Sequence, residues 1–354
     1  MLLPTLTGLI ISTIILNFNL LTKAVFFAPN QAEPVKSGQV LGVSEAGGSE
    51  KIFNQPDNGL NKALIKVIEE AKTAPLSRFF KSAQAGSPAV ESPEIPVKKL
   101  RLVMADNEFT AENGVVLNYD DDSLCFSKHP DKGWPIASIT KLFTAYTFLD
   151  YNPGWETDYV IKAEDKREGG KIHLFTGDKV KVKDLFYFSL VGSDNTATAA
   201  LVHATGLSEE EFVEKMNLKV GELGLKNTKL VDPVGLKDGN ISTAREIALF
   251  AKMALAKEEI SRASLTKSYE FKTAQGRKKI ITNTNELLNR FPKEGVSLLG
   301  GKTGFINSAG YCLVSRFKNK DGREIITVIL GADSDNGRFD LTKKLVDLYY
   351  NSQP

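Results

Sequence analysis

Trp134-Pro135-Ile136-Ala137-Ser138-Ile139-Thr140-Lys141-Leu142-Phe143-Thr144-Ala145-Tyr146-Thr147-Phe148-Leu149 is the stretch on which the rest of the chain turns. A proline ahead of an apolar, helix-period run marks a helix start. On a helix, residues three apart lie on one face, one turn apart. Ser138 and Lys141 are therefore expected to be neighbours. A hydroxyl beside an amine is the minimum kit for nucleophilic catalysis without histidine. Ile139, Leu142 and Phe143 around the pair predict a buried helix, and burial favours the neutral amine that a base must be.

The Ser-x-x-Lys pattern occurs three times, at Ser138/Lys141, Ser264/Lys267 and Ser315/Lys318. Ser315 falls in a strand pattern, Tyr311 to Ser315, where positions three apart face opposite ways. Ser264 lies in a polar, lysine-rich segment with little to bury a lysine. Only Ser138 combines helical period with apolar packing. Two further stretches stand in order after it. Leu190-Val191-Gly192-Ser193-Asp194-Asn195 reads as a short polar loop between helical segments. Leu299-Gly300-Gly301-Lys302-Thr303-Gly304-Phe305 closes a strand pattern with the chain's one Lys-Thr-Gly. A second Ser-Asp-Asn, Ser334 to Asn336, comes after Lys-Thr-Gly and is out of order.

Outward from these motifs, the 354 residues allow one to three domains, with 42% apolar and 25% charged residues in the ordinary globular range. The net charge of +2 and the lack of a basic cluster with interleaved aromatics give no case for nucleic acid. Cys125 and Cys312 make neither a disulfide framework nor a metal site, and read as small buried residues that could pair. Residues 1–22 carry no charged side chain. At about 1.5 Å per residue they reach roughly 33 Å as a helix, enough for a bilayer core. Without a cationic start or a small-residue cleavage site, residues 1–23 read as an uncleaved membrane anchor, with a cleaved signal segment as the alternative. Residues 24–98 read as a flexible Gly/Ser/Glu/Pro-rich linker. Within it, Leu60, Ala63, Leu64, Val67, Ile68 and Ala71 space a short amphipathic helix over 57–73.

From about residue 99 the pattern becomes globular. Leu100 to Met104 and Val115 to Tyr119 predict two strands joined by a turn at Asn113-Gly114. Capping boxes at Ser208/Glu211 and Thr243/Glu246 open helices. Strands return at Ser297 to Leu299, Tyr311 to Phe317 and Glu324 to Gly331, and a helix from about Gly337 to Tyr350 closes the chain. Two strands, a helical block, three strands and a helix predict one sheet with helices on its faces, an α+β domain over 99–354.

Ser-x-x-Lys, Ser-Asp-Asn and Lys-Thr-Gly in that order are the set found in penicillin-binding proteins and class A β-lactamases. Over about residues 100–350 the chain resembles the low-molecular-mass penicillin-binding proteins of the D-alanyl-D-alanine carboxypeptidase family. Asp232-Pro233-Val234-Gly235-Leu236, Asn283-Thr284-Asn285-x-Leu287-Leu288 and the segment from Lys302 to Leu313 add to the likeness. The resemblance implies a three-layer fold, an antiparallel five-stranded sheet flanked by helices plus a helical lobe. It implies a peptidoglycan stem peptide ending in D-Ala-D-Ala as substrate, β-lactams as inhibitors, no cofactor and no metal. It also implies roles. Ser138 attacks, Lys141 is its base, and Ser193 relays a proton to the leaving amine. Asn195 binds the peptide group, Lys302 and Thr303 hold the terminal carboxylate, and Gly304 leaves room for the substrate strand. The N–H groups of Ser138 and Phe305 form the oxyanion hole. Lys302 is expected to help depress the pKa of Lys141.

Departures from the pattern are Ile306 where the family often has Thr, Ser-Asp-Asn where many carboxypeptidases have Ser-Gly-Asn, and no Glu-x-x-x-Asn loop of the β-lactamase type. Asp232 falls in the corresponding region and reads as a turn residue. The chain ends without room for a C-terminal β-rich domain. His129, His173 and His203, with no Gly-x-Ser-x-Gly elbow, give no case for a Ser-His-Asp hydrolase, and no clustered ligands support a metallopeptidase. The expectation is a serine D-Ala-D-Ala carboxypeptidase at the bacterial cell membrane with its catalytic domain outside the cytoplasm. The alternatives are a D,D-endopeptidase, a β-lactamase of the same fold, or a non-catalytic wall-binding or penicillin-sensing module.

Overall fold

The computed structural model describes residues 102–291 and 294–352. The anchor expected over 1–23, the linker over 24–98 and its helix over 57–73 lie outside them. Among the described residues no helix is long and apolar enough to cross a membrane.

The domain opens with β1 (Asn113–Asn118), β2 (Leu124–Lys128), the short β3 (Trp134–Pro135) and α1 (Thr140–Phe148). A helical block follows, with β4 (Asp158–Val160), β5 (Lys179–Lys181), α2 (Val182–Val191), α3 (Asn195–His203), α4 (Glu209–Glu222), β6 (Ile241–Ser242), α5 (Ala244–Ala254) and α6 (Glu258–Leu265). Then come the hairpin β7 (Ser268–Lys272) and β8 (Lys278–Thr282), the single turn α7 (Leu287–Arg290), β9 (Val296–Ile306), β10 (Gly310–Asn319), β11 (Glu324–Ala332) and α8 (Asp335–Asn351).

Five strands form one sheet in the order β2-β1-β11-β10-β9, antiparallel at every pairing. Successive side chains on a strand point to opposite faces, and here both faces are covered. Val115 and Leu117 join Val314, Val328 and the helical block in one core. Val116 joins Leu313, Ile325, Ile329 and the inner face of α8 (Phe339, Leu345, Val346) in the other. Double burial explains why β11 reads as the apolar run Ile325-Ile326-Thr327-Val328-Ile329-Leu330, broken only by a buried threonine. Cys125 on the edge strand β2 and Cys312 on the inner strand β10 are both free and buried. Burial pushes both thiols up to about 11.

The first strand pair departs from expectation. Leu102 to Met104 is not a strand, and the partner of β1 is Leu124–Lys128 instead. Asn113-Gly114 opens β1 rather than turning. Its glycine is there for close approach, because a Cβ would stand 2.2 Å from Phe109 Cζ. The turn falls on Asp120-Asp121-Asp122. There the side chains of Asn118 and Asp121 accept from the N–H groups of Asp120 and Ser123, at 2.9 and 3.0 Å, and Asp122 takes φ 57°. Short carboxylates and amides that bond the backbone two residues on make turns without glycine.

Candidate active site

Ser138 sits in a 3₁₀ turn, Ala137–Ile139, that leads directly into α1. The helix is buried nearly all round, its threonines and Lys141 included. The turn is held from below by the loop at 232–240. Asp232 accepts from the N–H groups of Val234 and Gly235 at 2.8 and 2.6 Å and from Lys237 N–H at 2.9 Å, so it is a turn organiser. Gly235 has φ 87°, and a Cβ there would lie 2.2 Å from the Ala137 carbonyl oxygen. Ala137 itself stands at φ 47°, a region a non-glycine residue adopts only when its surroundings hold it.

Lys141 is fully buried. Its Nζ lies 2.9 Å from Ser138 Oγ, 2.9 Å from Asn195 Oδ1 and 2.7 Å from the Val234 carbonyl. Asn195 donates its Nδ2 to the carbonyls of Glu168 and Gly169 at 3.3 and 3.2 Å, which fixes Oδ1 towards the amine. A neutral amine has two N–H groups and one lone pair. Asn195 Oδ1 and the Val234 carbonyl take the two hydrogens, leaving the lone pair for the Ser138 hydroxyl. Burial brings the Lys141 pKa down to about 7, against the opposing pull of Asp232 and Asp194.

Ser193 stands at φ 56° in the loop between α2 and α3. Lys302 Nζ donates to Ser193 Oγ at 2.8 Å and to the Thr303 carbonyl at 2.9 Å. Lys302 is held well below the usual ammonium range by burial, then by Lys141 and Arg338. The expected repulsion between the two lysines thus falls on Lys302, whereas burial is what depresses Lys141. Lys302, Thr303 and Gly304 lie within β9 rather than at its end. Gly304 runs against the serine turn, where a Cβ would stand 2.9 Å from the Ile136 carbonyl and 3.2 Å from Ser138 N. Phe305 is half exposed at the mouth and stacks on Tyr311 at 4.4 Å.

All eight residues singled out in the sequence thus border one region. Ser138, Ser193, Asn195, Thr303, Gly304 and Phe305 line a cleft of about 550 Å³, with the amines of Lys141 and Lys302 in its wall. Neither of the other Ser-x-x-Lys copies forms such a pair. Lys267 and Lys318 are exposed while Ser264 and Ser315 are buried. As expected, nothing buries Lys267, while Ser264 packs where a Cβ at Gly300 would stand 3.0 Å from its Oγ. The late Ser334-Asp335-Asn336 is a helix cap, with Gly337 N–H donating to Ser334 Oγ at 3.1 Å.

Two contributors were given no role from the sequence. Arg338, buried on the first turn of α8, lines the cleft and donates to the Gly304 carbonyl at 3.0 Å. Thr284 meets Thr303 hydroxyl to hydroxyl at 2.5 Å. Arg338 carries no local signal, because it arrives on the helix that flanks the sheet, whereas Thr284 lies in the Asn283-Thr284-Asn285 segment that adds to the family likeness. Among the described residues no group of three or more His, Cys, Asp or Glu is placed to hold a metal.

The D-alanyl-D-alanine carboxypeptidase family matches residues 101–334. A D-alanyl-D-alanine carboxypeptidase of Bacillus subtilis is 32% identical over 68% of this chain, which spans 62% of that protein. A D-alanyl-D-alanine endopeptidase of Haemophilus influenzae is 34% identical over 68% of this chain and 82% of its own length. Among solved structures, the Streptomyces K15 DD-transpeptidase superposes with a TM-score of 0.62 at 27% identity, covering 68% of this chain and 98% of its own. Penicillin-binding protein D2 of Listeria monocytogenes, in a cefotaxime-bound form, gives 0.60 at 25% identity over the same shares. With the serine, its buried lysine and both later motifs meeting in one cleft, this chain belongs to the D-alanyl-D-alanine carboxypeptidase family of serine peptidases.

Proposed function

We propose that the chain is a serine D,D-peptidase that removes the terminal D-alanine from peptidoglycan stem peptides through an acyl-Ser138 intermediate. The observation that carries this is the 2.9 Å contact of Ser138 Oγ with a fully buried Lys141 whose pKa lies at about 7. A serine hydroxyl is a poor nucleophile until a base takes its proton. Lys141 Nζ takes it, Ser138 Oγ bonds to the carbonyl carbon, and the carbon–nitrogen bond breaks. The leaving nitrogen receives a proton from Ser193 Oγ, which is resupplied across its 2.8 Å contact with Lys302. In the second half-reaction water gives its proton back through Ser193 to Lys302 and its hydroxide to the acyl carbon, and Lys141 returns the first proton to Ser138. The terminal carboxylate sits against Lys302 and Thr303, with Arg338 close by. A β-lactam, itself a cyclic amide, acylates the same serine. No cofactor takes part. Residues 1–23 support attachment to the cytoplasmic membrane, with the domain on its outer face where the wall is.

One feature favours endopeptidase action on cross-linked stem peptides as a second reading. Past Ser193 and Thr284 the cleft continues into a cavity of about 410 Å³, bordered by Lys171, His173 and Ile280 to Thr282. This space adjoins the proton donor for the leaving group, and a single D-alanine would not fill it.

The test is fluorescent penicillin on the full chain, with intact mass followed over time. A stable adduct on wild type and none on Ser138→Ala is the expected result. Rapid turnover of the antibiotic with a fleeting adduct would replace this proposal with a β-lactamase. No adduct and no turnover on folded protein would leave a non-catalytic module. Supplying a pentapeptide and a cross-linked muropeptide dimer in parallel separates the carboxypeptidase from the endopeptidase.

A further inference from the structure

Asp194 takes no proton in the chemistry above, and apart from its pull on the charge of Lys141 it has no role there, although it lies between the proton donor and the amide that holds the base. Its carboxylate is buried and doubly engaged. Oδ1 accepts from Ala197 N–H at 2.7 Å, capping α3, and Oδ2 accepts from His173 Nδ1 at 2.8 Å. His173 belongs to the segment from Arg167 to Gly177, which crosses in front of the loop. Its ring stands edge-on to Phe188, 6.0 Å between centroids, and its carbonyl accepts from Lys279 Nζ at 2.7 Å. Lys279 is in turn paired with Asp178 at 2.7 Å. The histidine is thereby fixed from both its main chain and its ring. Asp194 N–H is tied to the Phe188 carbonyl at 3.1 Å, so Phe188 touches both partners.

The residue these contacts steady is Ser193. Its φ of 56° is a left-handed conformation that costs a serine about 1 kcal/mol or more and persists only where the surroundings over-determine it. Gly192 on its other side is pressed so closely on β8 that a Cβ would fall 1.9 Å from Ile281 Cδ1.

We propose that His173 is a positioning residue, which through Asp194 aims Ser193 Oγ at the leaving nitrogen. The proposal rests on Ser193 as proton donor, and the test separates the two ideas. An amide needs its leaving nitrogen protonated as the bond breaks, whereas a thioester expels a thiolate that needs no proton. A misaimed Ser193 therefore slows the amide and spares the thioester, while a general loosening of the fold slows both. His173→Ala in the full chain is expected to lower kcat/KM for an acyl-D-Ala-D-Ala amide about tenfold. The kcat/KM of the matching acyl-D-Ala thioester, which reports acylation and not the deacylation that also passes through Ser193, should change less than about twofold, and Ser193→Ala should give the same selective loss.

Asparagine places its amide nitrogen where Nδ1 of histidine lies, and glutamine places its own where Nε2 lies. His173→Asn is therefore expected to restore the amide rate and His173→Gln not to, which keeps the proposal open to test if the alanine variant fails to fold. Equal losses on both substrates, no loss on either, or equal behaviour of the Asn and Gln variants would overturn the role of His173. Intact penicillin labelling with no selective effect of Ser193→Ala would instead overturn Ser193 as the donor.

Discussion

At Lys141 three oxygens surround one nitrogen, and the charge on that nitrogen decides whether Ser138 can be activated. The neutral amine is the base, and it prevails above a pKa of about 7. Acylation by a slow β-lactam should therefore fall about tenfold per pH unit below that value and level off above it. Stopped-flow labelling between pH 5 and 8 measures this. A flat profile would mean that another group takes the proton. Lys141→Arg, which stays charged throughout, should abolish the adduct at every pH. Lys302 works in the opposite sense. Burial, Lys141 and Arg338 all disfavour its charge, so a carboxylate arriving beside it restores a proton. Substrate binding should take up protons from buffer, and affinity for the carboxylate should decline as pH rises through the lowered pKa of Lys302. Titration calorimetry of an unreactive D-Ala-D-Ala analogue in buffers of different ionisation enthalpy reads that uptake directly.

At the scale of elements, the serine turn is only as good as what lies under it. Gly235→Ala places a methyl group 2.2 Å from the Ala137 carbonyl and demands φ 87° of an alanine. It should destabilise the domain by about 2 to 4 kcal/mol. It should also slow penicillin labelling, because the displaced turn carries Ser138. Denaturant unfolding and labelling rates on one preparation check both. The elements also show what could be read from residues alone. The helix at 140–148 and the strands at 311–317 and 324–331 were legible because their apolar periods agree with their burial. The strand at 124–128 was not, because Leu124-Cys125-Phe126-Ser127-Lys128 is short and half polar, and its turn is built of aspartates rather than glycine. Ser138, Ser193, Asn195 and Lys302 were legible from motif order. Arg338 and the His173–Asp194 contact were not, since each joins segments far apart in sequence through tertiary packing alone.

Taken whole, every group in the cleft belongs to the unit from Glu91 to Pro354. A chain shortened to residues 91–354 should label with penicillin at the full-length rate. A loss would show that residues 1–90 are needed for the fold or the site. The two thiols supply an independent gauge for such comparisons. Cys125 sits on the sheet's margin and Cys312 within it, and neither is reactive while covered. A thiol reagent should therefore modify the molecule in two phases, a faster one as the margin frays and a slower one that waits for the whole sheet to open. An unreactive D-Ala-D-Ala analogue in the cleft should lengthen the slower phase, since a ligand bound only by the native state stabilises it. The protein thus carries its own clock for unfolding, and a substitution that silences the cleft without changing the slow phase has altered chemistry, not the scaffold.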